Sequence, residues 1–109
     1  MARLIIDLVS DKKGEDILLL DTRAVSVITD YFVIATSDNE RQTKAIADEI
    51  SRQLKKHAVL PLGVEGKPDS GWILMDYNGV LVHLFSRAMR DYYRLEELWE
   101  HAPIVVRIK

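Results

Sequence analysis

The apolar positions of this chain change period several times, and each change marks an element. Leu4, Ile5, Leu8 and Val9 recur at helical spacing and predict a short amphipathic helix over residues 2–12. Lys12 and Lys13 suit its C-terminus, and Gly14 suits the C′ position. Ile17 to Leu20 form an unbroken apolar run flanked by acids, and Tyr31 to Thr36 repeat that character. Runs this short predict strands buried on both faces, with helices on the faces of the sheet. Asn39 followed by Gln42 has the spacing of a capping box. Ile46, Ala47, Ile50 and Leu54 continue the helical stripe, so a helix is predicted from about 40 to 56. The run around Pro61 reads as an edge strand, because proline cannot donate to a ladder.

The stretch "WILMDYNGVLVHLFS" (Trp72 to Ser86) places Asn78-Gly79 between two apolar runs. Both residues tolerate positive φ, which a type I′ hairpin turn requires. With those two as the loop, Tyr77 faces Val80 and the register follows. One face then carries Ile73, Met75, Tyr77, Val80, Val82 and Leu84, a purely apolar set apart from one phenol. The other carries Trp72, Leu74, Asp76, Leu81, His83 and Phe85. One or two short helices are predicted to begin at Ser86 and stop at Pro103, burying Leu95, Leu98 and Trp99. "IVVR" predicts a short terminal strand.

A length of 109 residues fits a single domain spanning 1–109. The net charge of −2 is not that of an electrostatic nucleic-acid binder, which needs a basic excess. There is no cysteine, so disulfides, thiolate chemistry and the usual structural zinc ligands are excluded. No apolar run approaches the roughly 18 residues of a membrane span, and the N-terminus is too short in apolar character for a secretory signal. A cytoplasmic location is the expectation.

Four kinds of chemistry deserve a test. Asp76 and His83 lie diagonally on one hairpin face, where a carboxylate beside an imidazole would be general-base equipment. An isolated Asp–His pair has little specificity, and nothing places Ser70 or Ser86, the uncommitted serines near the hairpin ends, within its reach. Metal binding is not expected: His57, His83 and His101 are far apart, and Asp7, Asp11, Asp16, Asp21 and Asp30 are scattered. No cofactor is expected, since neither GxGxxG nor GxxxxGK[ST] occurs, and "TSDNERQ" offers a helix N-terminus without a glycine. Arg87, Arg90 and Arg94 share one helical face, interleaved with Tyr92 and Tyr93. Arginine and tyrosine are the residues of binding hot spots, and arginine also contacts RNA phosphates.

The blocks "ITDYFVIATSDNERQTKAIADEI", "GVEG", "GWILMDYNGVLVHLF" and "RDYYRLEELW" resemble the Iojap-related ribosomal silencing factors over about residues 2–102. The resemblance implies an α/β fold with a mixed sheet flanked by helices, nucleotidyltransferase-like but without catalytic residues. It implies a homodimer when free. It also implies binding to the large ribosomal subunit through a ribosomal protein on the intersubunit face, with ribosomal RNA close by, so that the small subunit is blocked and translation repressed. Trp72, Asp76, Tyr77, His83, Arg90, Tyr92 and Tyr93 are the expected contact residues, with Leu95 and Trp99 beneath or among them. The chain departs from the family pattern at Ser37-Asp38-Asn39, where a Gly-Thr-Ser type turn is usual, and at Asn78-Gly79, where the glycine sits one position later. The competing reading is a nucleotide-using enzyme with Asp76 and His83 as its acid–base residues. Such an enzyme would need a Gly-Ser turn followed by paired acids for magnesium, and neither stands at a suitable place.

Overall fold

The structure is a computed structural model that describes residues 1–27 and 29–109. Ile28, the first residue of the "ITDYFV" block, lies outside the described residues. Helix α1 (Ala2–Asp11) leads into strands β1 (Glu15–Asp21) and β2 (Tyr31–Ser37), then helix α2 (Glu40–Lys56). Strands β3 (Gly63–Glu65), β4 (Trp72–Asp76) and β5 (Val80–Ser86) follow, then helices α3 (Arg87–Tyr93) and α4 (Leu95–Leu98) and strand β6 (Ile104–Ile108). The strands form one sheet in the order β3-β4-β5-β2-β1-β6. Only β2 and β5 are parallel, so the sheet is mixed and the fold is α/β as predicted. Among the described residues no helix is long and apolar enough to cross a membrane.

The helix ends follow their local chemistry. The Asn39 side chain accepts from the Gln42 amide at 2.8 Å and caps α2. The Gln42 side chain accepts from Asp38 and donates to the Lys13 carbonyl at 2.9 Å, which ties the start of α2 to the end of α1. At that end Lys13, not Gly14, takes the left-handed conformation, with φ +68°. The amides of Lys13 and Gly14 return to the Ser10 and Val9 carbonyls, the two bonds of a Schellman motif. Gly14 is needed for a different reason from the predicted one: a Cβ there would stand 2.4 Å from the Val9 side chain.

The hairpin has the predicted register. Trp72 faces Phe85, Leu74 faces His83, and the Tyr77 amide bonds the Val80 carbonyl at 2.9 Å. Asn78 and Gly79 both have positive φ, as a type I′ turn demands. The alternation separates two cores. On one face Ile73, Met75, Tyr77, Val82 and Leu84 join Ile5, Ile6, Val9, Ile46, Ile50 and Leu54 beneath α1 and α2. On the other, Leu18, Leu20, Phe32, Ile34 and Phe85 are covered by the C-terminal segment, through Met89 of α3, Leu95 of α4, and Trp99 and Ala102 beyond it. Two long helices cover the first face fully. Two short ones cover the second incompletely, and its rim of large rings reaches the surface.

Three sequence expectations change here. Strand β3 starts at Gly63, two residues beyond Pro61, although it is an edge strand as expected. Leu98 is 74 % exposed and does not belong to the buried edge. The chain breaks at Arg94, whose φ is +48°, so α4 is a single new turn in which Leu95 and Trp99 point inward and Leu98 outward. The same break takes Arg94 out of α3 and ends the supposed arginine face.

Candidate functional site

The incompletely covered face is a connected array of rings. Trp99 meets Phe32 edge-on at 4.8 Å between centroids, and Phe32 lies 5.1 Å from the His83 ring. His83 stacks over Phe85 and tilts against Trp72. Trp72 packs on Tyr93 at 4.6 Å, and Tyr93 meets Tyr92 edge-on at 4.9 Å. Strand alternation on β4, β5 and β2 puts Trp72, His83, Phe85 and Phe32 on one side. Helix α3, started by the Ser86 side chain accepting from the Met89 amide, then delivers Tyr93 beside Trp72. Offset and edge-on ring pairs of this kind add to the area they bury.

Within the array the expected site residues divide sharply. Trp72 is half-buried, Tyr93 is 40 % exposed and Tyr92 is 76 % exposed, so these three reach solvent. Leu95 and Trp99 pack beneath, against the second core. His83 is 5 % exposed and works from inside. Its Nδ1 accepts the Trp72 indole N–H at 3.2 Å, which leaves the proton on Nε2, and that atom is buried without a partner. Burial alone pushes the imidazole pKa down to about 4, so the ring is neutral at pH 7.

The expected Asp76–His83 pair does not form. Asp76 accepts instead from the Asn78 amide at 3.1 Å and braces the hairpin turn. Tyr77 is not a surface residue either: it is 1 % exposed and belongs to the opposite core, because strand alternation turns it beneath α2. Burial pushes its phenol pKa up. Arg90 is likewise interior. Its Nε donates to Glu96 at 3.2 Å and its Nη1 to the Thr36 hydroxyl at 2.9 Å, so it clamps α4 and β2 together. Arg87 pairs with Glu15 and Asp16, and holds the Asp16 carboxyl below the usual carboxylate range. Arg94 stands 3.8 Å from Glu97. All three arginines therefore face acids, and the basic patch expected from their spacing is not presented.

Beside Trp72 and Tyr93 lies a hollow of about 340 Å³, lined also by Leu74, Met89, Glu65, Gly66 and Ser70. Leu74 and Met89 line this hollow but were not among the contact residues expected from the sequence. Leu74 was on the named hairpin face, and Met89 precedes Tyr93 by four residues on one helix, so both signals were available. The Gly66 wall is compact because its φ is +87° and a Cβ would fall 2.0 Å from the Trp72 carbonyl oxygen. Among the described residues no three His, Cys, Asp or Glu side chains converge.

A mixed-sheet α/β protein with a partly exposed aromatic face is the class that this fold and site define. The family model described as "Ribosomal silencing factor during starvation" matches residues 1–109. The chain is 40% identical over 94 residues to the ribosomal silencing factor RsfS of Bacillus subtilis, covering 86% of this chain and 80% of that one. The crystal structure of a Chromobacterium violaceum protein superposes with a TM-score of 0.86 at 38% identity, over 91% of this chain and 82% of that one. A second, from Bacillus halodurans, gives a TM-score of 0.84 at 33% identity, over 96% and 95%. The chain belongs to the RsfS family of ribosomal silencing factors.

Proposed function

We propose that this protein silences ribosomes by occlusion. It binds the large ribosomal subunit through a ribosomal protein on the intersubunit face, occupies space that the small subunit needs, and so represses translation. Family membership supports the ribosome as target, and the observation that carries the mode of action is the surface pair Trp72–Tyr93 over a ready hollow. Buried aromatic anchors in a pocket are what binding hot spots consist of. The mechanism needs no turnover, so the protein acts as a binding factor rather than an enzyme, on a nucleotidyltransferase-like fold put to another use. Asp76 and His83, the residues an enzyme reading would rely on, face different partners. The protein works in the cytoplasm and forms a homodimer when free, and ribosomal RNA lies near the bound factor without carrying the contact.

The test is direct. Purified large subunits are sedimented with the protein, small subunits are added, and intact ribosomes are counted across a gradient. Protein should travel with large subunits and intact ribosomes should fall as it saturates. Normal coupling of the two subunits under saturating protein overturns the proposal.

A further inference from the structure

The hollow beside Trp72 does not end at its own walls. Glu65 and Leu74 also line a second depression, which continues to Gly63 and Asp76. The two adjoin along β4 and β3, with Trp72, Met89 and Tyr93 at one end, Asp76 and the exposed Leu62 at the other, and Glu65 and Leu74 shared between them. Register explains the arrangement. Leu74 faces Glu65 and Asp76 faces Gly63, so both carboxylates share a face, and the glycine leaves the space above Asp76 open. A Cβ on Gly63 would meet nothing within 4 Å. Among the described residues neither Glu65 nor Asp76 has a cation at ion-pairing distance. Lys67 and Asp69 on the adjoining loop offset each other in charge.

We infer that this groove receives a protein segment that presents a large apolar side chain and, about 7 Å further on, a lysine or arginine. The inference rests on the docking role proposed above and specifies the chemistry of the partner. The spacing is that of Leu74 to Asp76, two residues along a strand. It is met by positions i and i+2 of an extended segment or i and i+4 of a helix. The apolar side chain fills the hollow between Trp72, Met89 and Tyr93. The cation lies over Glu65 and Asp76. A phosphate backbone is refused by the same two carboxylates, and the arginines that would attract it, Arg87 and Arg90 of α3 and Arg94 beyond it, face Glu15, Asp16, Glu96 and Glu97. The groove selects protein over RNA by the sign of its rim.

The experiment titrates purified large ribosomal subunits with the parent chain, with Trp72→Ala, and with the double variant Glu65→Gln/Asp76→Asn. Asparagine at 76 retains the oxygen that accepts from the Asn78 amide, and thermal melts verify that each variant is folded. Two lost rim pairs should weaken binding roughly three- to tenfold at low salt, with the difference vanishing at high salt. Trp72→Ala should weaken it by tenfold or more. An unchanged or strengthened affinity in the double variant, with Trp72→Ala still deficient, overturns the cation-bearing partner and leaves the docking role standing. Full affinity in Trp72→Ala removes the apolar anchor and overturns the groove. A parent chain that does not bind large subunits overturns both readings together.

Discussion

The Trp72 indole N–H donates to Nδ1 of a histidine, His83, that is itself sealed between Phe32 and Phe85. A half-buried indole is thus held by a buried neutral base, and the bond exists only while that base is unprotonated. The folded-state pKa of about 4 lies below the ordinary 6.5. Between those values the unfolded chain binds the extra proton, so stability rises with pH across that window. Stability from this source is complete above about pH 6.5 and is lost as pH falls towards 4, by about 3 kcal/mol in all. Denaturant melts from pH 7 to 4 should show that loss in the parent and not in His83→Gln. Equal slopes in the two would mean the imidazole is not the titrating group.

Tyr77 and Tyr93 offer a contrast between interior and surface. Replacing Tyr93 by Ala should reduce affinity for large subunits by more than about 1 kcal/mol while shifting stability by less than that. Replacing Tyr77 by Ala should do the reverse, with a stability loss of about 3–5 kcal/mol from the cavity beneath α2. Urea unfolding and a binding titration on the same samples separate the two effects.

Arg90 joins two elements by bonds in different directions. Arg90→Met leaves Glu96 and Thr36 without their donor and should cost about 2–3 kcal/mol. Arg90→Lys should restore little of this, because one ammonium cannot replace both ends of the guanidinium fork. Amide hydrogen exchange should quicken first in residues 95–99. Uniform quickening across the chain would contradict the clamp.

Gly66 stands where a side chain cannot. Gly66→Ala combines a φ of +87° with a contact against the Trp72 carbonyl, and should lose at least about 2 kcal/mol. Affinity should fall with it, because the strand bearing Trp72 must move. A variant with parental melting and parental affinity would show that the loop yields freely.

Most of the fold was legible because each element had a local cause. The Asn39 cap, the Asn78-Gly79 turn and the hairpin alternation are fixed by residues within a few positions of one another. The site was half legible for the opposite reason. Nothing near Arg90 in sequence announces that Thr36, 54 positions away, will draw it inward. The i, i+3, i+7 spacing of Arg87, Arg90 and Arg94 assumed one continuous helix, and the left-handed turn at Arg94 ends it. Asp76 and His83 were correctly placed on one face, but Asp76 bonds the nearer Asn78 amide and His83 the Trp72 indole, so the two do not pair.

The ring array has a kinetic consequence. Trp72 is already pinned by His83, Phe85 and Tyr93 before any visitor arrives, so little torsional freedom is left to freeze at the moment of contact. With the docking role proposed above, capture would proceed at the rate at which two rigid bodies meet in the right orientation, and substitutions in the array would lengthen or shorten residence instead.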